Sequence, residues 1–282
     1  MNWLTSLPAT VLVVGWLSLA GLVAVAARVG VRALVPTQDK DRVPQIVAPL
    51  MPTLGAAFAI FAALSLASEA GYLRAAEGLV SDEAAASSRL AWAATSPGLQ
   101  AEPIQAALQN YLQTTRAREW EGAAAASGDD PVTARAIARL ERTVRAEAAR
   151  PGLSTTTGTE LLVSLDSLTT ARRARIAAAG RDVPALYVVT LVVSGLALIV
   201  NAGALIFRST RRTSLLIAGV ASVVGLSLAL LFSLSAPWRG PLIVSGHPLD
   251  AIIRDLDSGF FHSAPSVTGA ISTPSTERGA PG

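Results

Sequence analysis

The side chains able to do chemistry in this sequence fall into three small groups. Glu69, Glu77, Asp82 and Glu83 place carboxylates within a few helical turns of one another, a spacing that could hold a hard cation. The plainer meaning of that spacing is solvated helix charge, and we read them so. Arg172, Arg173 and Arg175 concentrate positive charge that could draw anions, although contact with lipid headgroups or glutamate partners is the simpler expectation. Asn201, within Ile199-Val-Asn-Ala-Gly203, is the most polar side chain in any long apolar stretch. It could line a pore or substrate path, but an interhelical hydrogen bond worth about 0.6 kcal/mol is the favoured reading.

Signatures of catalysis, cofactors and metals are missing. The chain has no cysteine, and its two histidines, His247 and His262, each lack a second histidine at zinc-ligand spacing. There is no glycine-rich phosphate loop, serine nucleophile elbow or His-Glu metal pair. Nor does any basic run with interleaved aromatics point to nucleic acid. The expectation is a protein that is not an enzyme and uses no cofactor.

What must position these groups is a membrane scaffold. Of 282 residues, 51% are hydrophobic and 15% charged, against about 25% charged in soluble domains. Four stretches hold no Asp, Glu, Lys or Arg: Met1 to Ala27, Val43 to Ser68, Val183 to Phe207 and Thr213 to Trp238. Each exceeds the roughly 20 helical residues that cross a hydrocarbon core. The first has small residues at Ala24 to Ala27 but no basic residue before it, so it reads as a retained span and not a signal peptide.

The expected architecture is an all-α integral membrane protein, with four transmembrane helices as two hairpins flanking an extramembrane helical bundle. Spans at about 9–31 and 46–68 form the first hairpin (residues 1–68), and spans at about 185–207 and 214–235 the second (residues 185–235). Residues 69–184, rich in Ala, Arg and Glu, favour helix. Span two should continue outward as one long helix, stopped by Pro97, Gly98 and Pro103. Pro103 suits the first turn of a helix with Ile104, Leu108 and Tyr111 on one face, and Asp130-Pro131 caps another whose Ile137, Leu140 and Val144 oppose Arg135, Arg139 and Arg142. A third carries Leu161, Leu165 and Leu168 before the arginine cluster. With so few aromatics, these helices are not expected to make a large core. Residues 236–262 form a juxtamembrane segment with an amphipathic helix, at the interface or against the helical domain. Residues 263–282 read as a disordered tail. In span four, Ala221, Gly225 and Ala229 offer a smooth strip for close helix approach.

Orientation follows the basic residues in short loops. Arg28, Arg32, Lys40 and Arg42 flank the first link and Arg208, Arg211 and Arg212 the second, which puts both links in the cytoplasm. The helical domain and both termini then lie extracytoplasmic in a multi-pass cell-membrane protein. No span contains an ionisable residue in its interior, which argues against a proton-coupled pump.

Several segments together resemble the bestrophin-like domain family, bacterial multi-pass membrane proteins without an established activity. They are Ser81-Asp-Glu-Ala84, Tyr111, Glu119-Trp120, Arg172-Arg-Ala-Arg175 and Pro237-Trp-Arg-Gly-Pro-Leu242, and the resemblance covers about Ala56 to Leu256. The family label points to bestrophins, oligomeric anion channels. Two readings follow. The first is a non-catalytic membrane protein whose helical domain serves self-association, as a homo-oligomer, or binding of a membrane or envelope protein partner, with the lipid bilayer around it. The second is an oligomeric anion channel or small-anion transporter. The positions where function or assembly is sought are Glu119, Trp120, Arg172, Arg173, Arg175, Asn201, Pro237, Trp238, Arg239 and Gly240.

Overall fold

The structure, a computed structural model, describes residues 9–34, 36, 42–120, 130–180, 185–205, 211–234, 238 and 243–262. All regular structure among them is α-helical: α1 (Ala9–Leu34), α2 (Val43–Val47), α3 (Leu50–Ala93), α4 (Ala101–Glu119), α5 (Pro131–Ala148), α6 (Thr155–Ala179), α7 (Ala185–Leu205), α8 (Arg211–Leu234) and α9 (His247–Asp257). Four are long and apolar enough to cross a membrane, over Thr10–Val31, Leu50–Ala93, Leu186–Leu205 and Ile217–Leu234. The chain is therefore an all-α membrane protein.

The second span starts later than expected. Residues 43–47 form the separate α2, which packs on α7, and α3 begins at Leu50. Pro49 at the N-cap explains the break, since it lacks an N–H and its ring crowds the preceding turn. From there α3 runs 44 residues without interruption, about 66 Å at 1.5 Å per residue. That is twice the hydrocarbon thickness, so its second half stands outside the bilayer.

Within the membrane, α1 packs chiefly on α8 and α7, while α3 packs on α7 and, less closely, on α8. The second pair of spans thus stands between the members of the first. Ala20 and Ala24 of α1, Phe58 and Ala62 of α3, Leu191 and Leu198 of α7 and Val224 and Leu228 of α8 share one buried cluster. Glycine permits the closest approaches. A Cβ on Gly225 would lie 3.1 Å from the Trp16 carbonyl oxygen and 3.2 Å from Leu17 Cα, so the smooth strip of α8 seats α1 of the same chain. On Gly195 it would lie 2.7 Å from Val224 Cγ1 and 3.2 Å from Phe58.

Outside the membrane, α3 to α6 close a bundle around Ala76, Val80, Leu90, Ile104, Leu108, Leu140, Val144, Leu161 and Leu168. The expectation of a small core needs correcting here. Alanine and leucine fill the interior at close helix spacing, and the C-terminal segment adds Trp238, Val244, Leu249, Leu256 and Phe261 to the same cluster. The amphipathic α9 accordingly lies against the helical bundle, on α3 and α4. Local signals act as the residue types dictate. Asp130 caps α5 by accepting from the Val132 and Thr133 amides, and Gly98 (φ 88°) and Gly152 (φ 86°) turn the chain after α3 and α5 in the left-handed region.

The glycine contacts carry a test. Gly195→Val should cost about 1–3 kcal/mol by overpacking, seen as a lower temperature at which detergent-purified protein loses monodispersity. Gly219→Val, where nothing lies within 4 Å of the added Cβ, should leave it unchanged.

Candidate functional site

Four charged residues of the bundle, Glu83, Glu119, Arg172 and Arg175, gather in its interior. On α3, Ala76, Val80, Glu83, Ser87 and Leu90 occupy one helical face, and all are buried. On α4 the face is Ile104, Leu108, Tyr111, Thr115 and Glu119, and on α6 it is Leu161, Leu165, Leu168, Arg172 and Arg175. Each apolar stripe therefore includes one or two ionisable groups, and the packing of α3, α4 and α6 brings them into contact. The reading of Glu83 as solvated charge is overturned, as is that of Glu69, also buried on α3. Glu77 and Asp82 are exposed, as read.

Arg175 is 1% exposed and lies between two carboxylates. Its Nε donates to Glu83, and its Nη2 to Glu119. Arg172 forks onto Glu119 through Nη2–Oε1 at 2.8 Å and Nη1–Oε2 at 3.3 Å. The Tyr111 hydroxyl donates to Glu83. The guanidinium of Arg175 also sits 5.1 Å from the Trp120 ring centre, and that of Arg172 5.5 Å from Tyr111. Two carboxylates and two guanidiniums balance, which is what permits charge to be buried here.

The environment fixes the protonation states. Burial, and after it the Glu83 carboxylate, hold the Tyr111 hydroxyl well above the usual tyrosine range. Burial opposes the charge of Arg175, but Glu83 and Glu119 outweigh it and raise the guanidinium further. For Arg172 burial is likewise outweighed, by Tyr111 and Glu119. Every charged group of the cluster is engaged by another member of it, so the cluster ties α3, α4 and α6 together as a brace.

Trp120 connects this brace to the C-terminal segment. Its indole N–H donates to the Val244 carbonyl at 2.8 Å, and its ring meets Trp238 edge-on at 6.0 Å. Along the same α4, Arg116 pairs with Asp250, Gln109 with Asp257, and Gln105 donates to the Phe261 carbonyl at 3.3 Å. Residues 105, 109, 116 and 120 thus meet 261, 257, 250 and 244 in antiparallel register.

Of the positions singled out from sequence, Glu119, Trp120, Arg172, Arg175 and Trp238 come together. Arg173 is exposed on the flank of α6, away from the cluster. Pro237, Arg239 and Gly240 lie outside the described residues, as does the tail from residue 263. Asn201 is 7% exposed in α7, far from this cluster in the chain, and the expected interhelical hydrogen bond is not found: among the described residues neither Oδ1 nor Nδ2 has a partner. Sequence reasoning missed Glu83, Arg116 and Asp250. The signal for Glu83 was present, a carboxylate in phase with Ala76, Val80 and Leu90.

Residues 18–249 match the family described as Bestrophin-like domain. Among solved structures, the fold is similar to a bacterial bestrophin homologue from Klebsiella pneumoniae with an isoleucine-to-threonine mutation, at 17% identity over 86% of this chain and 98% of that chain, TM-score 0.65. A homologue from the same organism with a leucine-to-threonine mutation gives 16% identity over 87% and 98%, TM-score 0.63. A membrane protein with a proline-to-alanine mutation gives 16% over 87% and 97%, TM-score 0.64. At such identities the likeness is one of fold. No curated protein matches the sequence.

Two outcomes follow from the brace. Arg175→Ala leaves the buried Glu83 without its counter-charge and should cost about 3–5 kcal/mol in denaturant unfolding, with much of the loss recovered when Glu83→Gln is added, since Glu119 keeps Arg172. In alkaline titration followed by ultraviolet absorbance, Tyr111 should stay protonated for as long as the protein stays folded. Because its folded value is raised, its contribution to stability is complete below the ordinary tyrosine pKa of about 10 and is lost only as pH climbs through the raised value. Ionisation of all three tyrosines before unfolding would contradict this.

Proposed function

The chain belongs to the Bestrophin-like domain family, and from that premise we propose that it is a non-catalytic, self-associating membrane protein whose copies bring α3 together around an axis and conduct small anions along it. The observation that carries this reading is the outward face of α3. Ala56, Ala63, Ala67, Gly71, Gly78 and Ala85 recur on it at helical spacing, through the span and beyond, with Ile60 the one large apolar side chain among them, and every one is exposed. Small residues let helix backbones approach closely in lipid, where dispersion and not water drives association. Identical faces meeting around a symmetry axis would leave a narrow, smooth-walled passage.

Arg172 and Arg175 do not serve as the anion attractors. Glu83 and Glu119 cancel their charge inside the bundle. Arg74 is better placed, exposed on the same outward face as Gly71 and Gly78, just past the apolar stretch. The brace then has a mechanical role: Glu83 holds the outer half of α3 to α4 and α6, so that its opposite face stays fixed toward the axis. Residues 69–184 act as this supporting domain, with the domain and both termini outside the cell, as the basic links imply.

Purified protein in liposomes should release a chloride gradient faster than empty vesicles, and Arg74→Gln should slow it severalfold. No flux above empty vesicles at several voltages and pH values would reject conduction and leave self-association alone. Orientation has its own check. The chain has no cysteine, so Thr156→Cys should react in intact cells with a membrane-impermeant maleimide, and labelling only after lysis would reverse the assignment.

A further inference from the structure

The groove between α5 and α6 collects charges that neither the buried brace nor the α3 face uses. Glu141 and Arg145 from α5 and Asp166 and Arg173 from α6 border a cavity of about 230 Å³, with Leu162 and Leu165 as its apolar lining. Among the described residues none of these four makes an ion pair, so each keeps its donors or acceptors open to the space they border. Their helices are fixed by what lies beneath, since Leu140 and Val144 of α5 and Leu161, Leu165 and Leu168 of α6 are core residues. The four charged side chains therefore spring from fixed positions around one space.

The composition of that space selects its occupant. Two guanidiniums and two carboxylates sum to zero, so a simple anion or cation would meet repulsion along with attraction. A molecule carrying both charges satisfies both signs at once. Leu162, 40% exposed, leaves apolar surface for the rest of it. The volume is below the roughly 300 Å³ at which pockets for drug-sized ligands begin, which limits the occupant to about the size of an amino acid. The Thr169 hydroxyl, already donating to the Asp166 carbonyl at 3.1 Å, offers only acceptor lone pairs, and these suit an ammonium.

We propose that this groove binds a free apolar α-amino acid, its carboxylate facing Arg145 and Arg173, its ammonium facing Glu141 and Asp166, and its side chain over Leu162. Occupancy would tie α5 to α6, the helix that also carries Arg172 and Arg175, and would stabilise the folded bundle by mass action.

The test uses the full chain in detergent micelles, with L-leucine as the probe in isothermal titration calorimetry. Saturable binding is expected, with N-acetyl-leucine, which lacks the ammonium, and leucinamide, which lacks the carboxylate, each weaker by about tenfold or more. Arg173→Gln and Asp166→Asn, both at exposed positions, should weaken leucine to a similar extent while leaving the melting temperature of the unliganded protein unchanged. No saturable binding up to about 10 mM, weaker than any affinity of use to a free metabolite, would overturn the proposal. So would equal binding of leucine and its two masked forms. Neither result bears on the liposome assay, which needs no amino acid.

Discussion

Burying the guanidinium of Arg175 between Glu83 and Glu119 is the constraint around which the rest of the molecule is arranged. An arginine that is 1% exposed is tolerable only when its charge is matched and its donors are used. Meeting both conditions requires α3, α4 and α6 to converge within hydrogen-bonding distance at one level of the bundle. Arg172, Tyr111 and Trp120 then complete the arrangement, the first by balancing Glu119, the others by covering the guanidiniums with aromatic faces. A hydrophobic cluster of equal size would hold the helices together as well. What the ion network adds is register, because a slip of one turn on any of the three helices leaves a carboxylate or guanidinium buried alone.

That register reaches both ends of the protein. Toward the membrane, α3 continues without a break, so fixing its outer half fixes the direction in which its inner half faces. Toward the C-terminus, Trp120 belongs to the brace through Arg175 and to the strap through Val244. Gln105, Gln109 and Arg116 extend the same reading frame along α9 and the turn after it. The strap and the span are therefore both positioned from α4, although they are far apart in sequence.

The membrane fold was readable because lipid demands uninterrupted apolar helices, and nothing else in the chain imitates that demand. The α-helical domain was readable for a related reason: Asp130 before Pro131, and Ile137, Leu140 and Val144 at helical spacing, act locally. Errors fell where the outcome depends on a distant partner. Glu83 looks like solvent charge until Arg175, far along the chain, is placed against it. Asn201 looked able to find an interhelical partner, but whether a facing helix offers one is a matter of packing and not of the segment itself. The core looked too poor in aromatics because Phe261 and Trp238 arrive from beyond the last span. Pro49 sits inside a stretch without charges that looks continuous, and its capacity to separate α2 from α3 shows only once α2 is docked on α7.

The proposed assembly depends on α3 being presented, by its brace, to the α3 of other copies. Pulsed electron-spin resonance on a nitroxide attached at Ala67→Cys tests this most directly, because the chain has no native cysteine. In lipid nanodiscs the account requires a narrow distribution of short inter-copy distances, which broadens when Arg175→Ala is added. Absence of dipolar coupling at Ala67 in a protein that still folds would contradict it.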